Sequence, residues 1–287
     1  VETFIWRHYH FELPDDWELL QFTRNPQTGR CSFADRRQFR FELNWRVVGS
    51  APDFDRMLTD YQGRLESDGL TDLRRLEHSD WKGVSGEQDG RLTTRYGHFF
   101  PEDGSLVEVV FLWPKGRDVV LERQILESFS FVPAADGFIR WRAFGLDLRA
   151  SDTHELWKAS VRPGTVELKF TAQKGYREQR FGRYGMIEEW LAGTPGTWLK
   201  TQIPKGFKIL TETRHTRQSH EIFTINGLRS FPQVKNIIRG RREIKASAWI
   251  CPQDKRLYSL LLVSTGRVVD LESRIGLRCC DHNEVNP

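Results

Sequence analysis

The chain has 287 residues, of which 38% are apolar and 29% charged, and a net charge of +4. That balance describes a globular protein of two domains or one large one and excludes collagenous and low-complexity classes. No apolar run approaches the roughly 20 residues of a membrane helix; the longest, Leu260 to Val263 with its neighbours, is strand-sized.

The charge is unevenly spread. Residues 1–135 carry 17 Lys+Arg against 23 Asp+Glu, and residues 136–287 carry 26 against 16. Such asymmetry fits an anionic partner for the basic half or two halves that face each other. The first ten residues lack a basic segment followed by an apolar one, so no secretory signal is read there. Four cysteines, Cys31, Cys251, Cys279 and Cys280, are too few and too irregularly placed for a disulfide framework, which predicts a reducing, cytoplasmic setting.

Read along its length, the chain is a tandem duplication. Trp6 to Leu13 aligns with Trp141 to Leu148, both running Trp-Arg, any, aromatic, any, apolar, acidic, Leu. Phe99-Phe100-Pro101-Glu102-Asp103 aligns with Ile250-Cys251-Pro252-Gln253-Asp254, and Gly116-Arg117-Asp118-Val119 with Gly266-Arg267-Val268-Val269. The repeats span residues 1–134 and 138–287, joined by the short linker Pro133 to Gly137. Period-two alternation predicts a first strand at Tyr9 to Leu13 and Phe144 to Leu148. A Trp-centred segment follows at Trp17 or Trp157. Paired strands come next, Gly29 to Phe33 with Arg37 to Trp45, and Thr165 to Thr171 with Gln179 to Tyr184.

Pro52-Asp53 then opens a helix whose apolar residues Phe54, Met57, Leu58, Tyr61 and Leu65 share a face until Gly69 stops it. In the second repeat Met186 to Leu191 reads as a helix opening, interrupted by Gly193, Pro195 and Gly196. Antiparallel strands are predicted at Leu73 to Trp81, Arg91 to Phe100 and Leu106 to Trp113. Their counterparts are Phe207 to Thr213, Glu221 to Asn226, Arg242 to Ile250 and Leu257 to Val263. A second helix, Asp118 to Glu127 or Val268 to Ile275, leads to a closing strand, Ser128 to Val132 or Leu277 to Cys280.

This plan, ending on Ile125-Leu126-Glu127-Ser128-Phe129-Ser130-Phe131, resembles the PsbP-like fold shared with the Ran-binding Mog proteins and several bacterial lipoprotein and chaperone families. The second repeat degrades that run to Ile275-Gly276-Leu277-Arg278-Cys279-Cys280. The resemblance implies an α+β fold, present twice, in which helices pack a curved antiparallel sheet. It also implies a non-catalytic binding, adaptor or chaperone-like role with a protein partner. No functional residue of the family carries over.

Candidate sites are few. Trp6, Trp141, Trp17 and Trp157 recur between repeats and are expected in the cores, whereas Trp190 and Trp198 flank a Gly/Pro-rich loop and suit a partner surface. Lys235, Arg239, Arg241, Arg242 and Lys245 form a basic stretch that suits an anionic ligand or nucleic acid, the alternative to a protein partner, although no nucleic-acid-binding module is legible. His8 and His10 share a strand face, but no third ligand stands at characteristic spacing. Cys279-Cys280-Asp281-His282 is a dense cluster that Cys251 would approach if its strand neighboured the last one. Without a Cys-x-x-Cys pair it is read as buried or redox-labile thiols, and no metal or cofactor is assigned. No nucleophile elbow, phosphate-binding loop or His-Glu-x-x-His is present, so an enzyme is not expected; a site assembled from distant residues is the second alternative.

Overall fold

The computed structural model describes residues 1–173, 177–217, 219–229, 241–265, 275–280 and 283–285. The chain divides into two compact units, Val1–Pro133 and Ala134–Pro287.

Unit 1 opens with a hairpin of β1 (Glu2–Trp6) and β2 (Tyr9–Leu13), turned tightly with Arg7 at φ 60°. There follow β3 (Glu18–Phe22), β4 (Thr28–Ala34), β5 (Phe39–Val47), α1 (Phe54–Ser67), β6 (Thr71–His78), β7 (Trp81–Gln88), β8 (Arg91–Phe100), β9 (Ser105–Trp113), α2 (Val119–Ser128) and β10 (Ser130–Phe131). Seven strands make an antiparallel sheet in the order β3-β4-β5-β9-β8-β7-β6, while β10, β2 and β1 lie side by side in a shorter layer. Because side chains alternate across a strand, one sheet serves two layers. Arg95 on β8 donates to Tyr61 of α1, whereas its neighbours Thr94 and Tyr96 donate to Glu122 of α2. The layer under β1, β2 and α2 is aromatic: Phe4, Phe11, Phe33, Phe41 and Phe129 meet ring to ring.

Unit 2 contains β11 (Phe138–Ala143), β12 (Leu146–Ser151), β13 (His154–Arg162), β14 (Thr165–Ala172), β15 (Glu178–Tyr184), α3 (Ile187–Trp190), α4 (Pro195–Gln202), β16 (Lys208–Arg217), β17 (His220–Arg229), β18 (Arg242–Ile250), β19 (Leu257–Thr265), β20 (Gly276–Cys280) and β21 (Asn283–Val285). Its large sheet runs β13-β14-β15-β19-β18-β17-β16, the strand order of unit 1 element for element, and β11, β12, β20 and β21 form its short layer. Leu199 of α4 packs on Ile225, Ile244, Ala246, Ala248, Leu261 and Val263.

The structure corrects the sequence reading in five places. The expected antiparallel sheets with helices packed on them are present, but the protein is mainly β where α+β was expected: four short helices stand among the described residues against long antiparallel strands. The segment Leu73 to Trp81 is not one strand but β6, a turn through Ser79 at φ 50°, and the start of β7. The Gly/Pro-rich loop after α3 does not merely interrupt a helix. Thr194 caps α4 by accepting from Thr197 N, and Pro195 occupies its first turn, where a missing N–H costs nothing. Trp157 is 62% exposed instead of core-packed. A β-bulge between Leu156 and Lys158 makes it the unpaired residue, as the bulge between Leu19 and Gln21 does for exposed Leu20 in unit 1.

The fifth correction concerns register. The hairpin tip lies two residues later in unit 2, with Trp6 opposite Tyr9 but Ala143 opposite Leu146. Trp141 therefore meets Phe170 edge-on at 5.2 Å just as Phe4 meets Phe33 at 5.0 Å, and it occupies the place of Phe4, not of Trp6. A two-residue slip preserves the buried face, so both tryptophans are in the core as expected. The helix expected at Val268 to Ile275 falls outside the described residues but for Ile275, which is buried.

Candidate functional site

The aromatic candidates form a patch on unit 2. Tyr184 ends β15 and meets Trp198 edge-on at 4.9 Å, and Trp190 lies 6.1 Å from Tyr184 and 6.2 Å from Trp198. Tyr184 donates to Glu167 Oε1 at 2.7 Å; burial first, then that carboxylate, hold its phenol above the ordinary range. Gly182 makes room for this, since a Cβ there would stand 2.5 Å from the Tyr184 hydroxyl. Trp198 is half-buried against the α4 core, while Trp190 remains 39% exposed with its indole N–H donated to Gly185 O at 2.8 Å. Met186, at φ 50°, is 63% exposed at the start of α3.

Three residues of the basic stretch, Arg241, Arg242 and Lys245, lie among the described residues. Arg242 and Lys245 are three apart on β18 and so project to opposite sides of the sheet. Exposed Arg241 lies 3.9 Å from Glu243. Lys235 and Arg239 lie outside the described residues. In unit 1 a cleft of about 660 Å³ is lined by Arg36, Arg37 and Arg91, but Asp35 and Asp89 stand among them. The histidines of β2 and its turn are taken up by backbone: His8 Nδ1 is 3.0 Å from Val132 O, and His10 Nδ1 3.1 Å from Ser128 O.

Three of the four cysteines converge, Cys251 approaching the pair Cys279-Cys280 as expected, and a histidine joins them. His220, Cys251, Cys279 and Cys280 place one ligand atom each within 4.8 Å of the others. Three features of the fold achieve this. The β17–β18 ladder pairs Ile222 with Trp249, and continuing that register by two residues sets His220 opposite Cys251. The strand β20 pairs with β12, with Arg278 opposite Asp147, and its end brings up Cys279 and Cys280. Successive strand residues ordinarily point to opposite faces, but the β20–β21 register shifts between Arg278 and Cys280. That bulge re-aims the intervening Cys279, so both sulfurs reach one imidazole. Cys279 Sγ lies 3.2 Å and Cys280 Sγ 3.8 Å from His220 Nε2, and the two sulfurs are 3.9 Å apart.

Trp249 Nε1 donates to Cys279 Sγ at 3.4 Å. Burial pushes the Cys279 thiol well above its ordinary value, opposed by that indole. Burial also raises Cys251, opposed by the backbone N–H groups of Asp254 and Gln253 directed at its sulfur. Sequence reasoning missed His220 altogether. It is separated from Cys251 by about a strand, a long connection and another strand, and only the β17–β18 register relates them.

Among the described residues, no helix is long and apolar enough to cross a membrane. No protein-family model matches the chain, and no curated protein does. A solved structure that overlaps it is the apo form of immunity protein TplEi of T6SS from Pseudomonas aeruginosa, at 10% identity and a TM-score of 0.33, covering 93% of this chain and 88% of that one. The overlap is too loose to speak to fold family or role.

Proposed function

We propose that this protein is a non-catalytic binding protein built from two PsbP-like repeats, and that it takes a protein partner on the aromatic patch of unit 2. The observation that carries the reading is the pairing of exposed Met186 and Trp190 with a rigid aromatic base of Tyr184 and Trp198. Binding energy at interfaces concentrates in such anchored aromatics, which add large apolar area at small entropic cost. The left-handed backbone of Met186, costly for a residue other than glycine, supports the same reading by turning its side chain to solvent.

A photo-crosslinking amino acid placed at Trp190 tests this in lysate of the native organism, with the same group at exposed Val120 of unit 1 as control. A discrete crosslinked protein at position 190 alone, retained in high salt and lost in Met186→Ser, is the expected result. Equal labelling at both positions, or capture of nucleic acid that falls steeply with salt, would overturn it in favour of the anionic-ligand reading.

A further inference from the structure

We propose that unit 2 holds a single zinc ion between His220, Cys251, Cys279 and Cys280, in a closed structural site that fastens the end of β20 to the start of β17 and the end of β18. Four donors placed tetrahedrally around one ion at Zn–S of about 2.3 Å and Zn–N of about 2.0 Å should stand about 3.8 Å apart between sulfurs and about 3.5 Å between sulfur and nitrogen. The observed separations are 3.9 Å between the sulfurs of Cys279 and Cys280, and 3.2 and 3.8 Å from these to His220 Nε2. The fourth donor, Cys251 Sγ, lies within 4.8 Å of each of the other three. A disulfide would instead need its sulfurs near 2.05 Å, about half the distance seen.

Comparison with unit 1 gives the second argument. By hairpin register Cys251 stands where Phe100 stands, since Phe99 faces Leu106 as Ile250 faces Leu257. By the pairing of the short layers Cys279 stands at the place of Phe131. Phe131 faces Tyr9, and continuing the β12–β20 register by one residue sets Cys279 opposite Leu146, the residue just past the hairpin tip as Tyr9 is. In unit 1 the two rings meet at 6.2 Å and close that corner with apolar carbon. Unit 2 has replaced both rings by thiols, with His220 and Cys280 converging on the same point. An ion bound by all four donors would cross-link that corner where unit 1 packs it with carbon.

Hydrogen-bond donors already face two of the sulfurs. The Trp249 indole donates to Cys279, and the turn after Cys251 directs backbone N–H groups at its sulfur, contacts of the kind that orient and tune metal ligands. His220 and Cys251 are buried while Cys279 and Cys280 are half-buried, which leaves an approach for the ion. Four protein donors leave no open position, so the site is structural and not catalytic.

The full chain, purified under reducing conditions and stripped with chelator, is titrated with Co2+ and then Zn2+. One ion per chain is expected, with the strong visible absorption of tetrahedral cobalt and a thiolate charge-transfer band, both abolished by one equivalent of zinc. Cys279→Ser should weaken binding by roughly 100-fold or more, beyond what loss of an outer-sphere partner produces. Cys31→Ser, which removes the buried thiol of unit 1, should leave it unchanged. Should Cys279→Ser fail to fold, His220→Cys keeps four donors and should bind with a stronger charge-transfer band. Sub-stoichiometric binding, a pale octahedral cobalt spectrum, or a charge-transfer band unaltered by His220→Cys would overturn the proposal. None of these results bears on the crosslinking at Trp190.

Discussion

Glu122 is 2% exposed, and the hydrogen-bond donors around its carboxyl group dictate what its loss should cost. It accepts from Thr94 Oγ1 at 2.6 Å, from Tyr96 OH at 2.6 Å and from Arg117 Nε at 3.0 Å, while Arg117 Nη2 also donates to Tyr96 OH at 2.9 Å. Trp113 Nε1 completes the network by donating to Thr94 Oγ1 at 2.9 Å. Glu122→Ala would strand two hydroxyls that water cannot reach, because Thr94 and Tyr96 are buried; Arg117, partly exposed, can rehydrate. Breaking a buried pair by removing one partner costs about 3–5 kcal/mol, and the accessible guanidinium puts this case toward the lower end, near 3 kcal/mol. Denaturant unfolding of the full chain, followed by a probe attached to unit 1, reads the loss as a fall in midpoint without a change in slope. The control is the double variant Glu122→Leu, Arg117→Leu, which removes both charges and should recover part of the loss. A single variant within about 0.5 kcal/mol of the parent, the scatter of ordinary surface substitutions, would refute the reasoning.

Two further outcomes follow from unit 2. Burial, and secondarily the charge of Arg177, lower the His154 pKa from 6.5 to about 4, so the folded state resists a proton that the unfolded chain accepts. Stability should therefore be unaffected by this group above about pH 6.5 and fall as pH drops toward 4, by roughly 3 kcal/mol at most, and His154→Gln should flatten that slope. A parallel pH profile in the variant would show that other groups carry the acid sensitivity. Trp141→Ala should cost about 3–5 kcal/mol, while Trp157→Ser, on its exposed bulge, should stay within about 0.5 kcal/mol. Similar midpoints for the two variants would contradict the assignment of core and surface.

Local chemistry made much of this fold legible in sequence. Asp53 and Gly69 bracket α1 because a carboxylate satisfies the first free N–H groups and only glycine accepts φ 88° cheaply at the other end. Alternation located most strands, since a half-buried strand must present apolar residues every second position. Internal repetition revealed the two-unit plan because matched strands need matched side chains. What the sequence could not determine is register. Whether Trp141 answers to Trp6 or to Phe4 depends on where a hairpin turns, and a slip of two leaves the burial pattern intact. A bulge is equally silent, so Trp157 read as core, and nothing in the sequence marks the register shift at Cys279. The cluster of His220 with three cysteines is decided wholly by tertiary pairing: its members come from three strand ends, and the distances between them in sequence are set by connections whose length carries no chemical information.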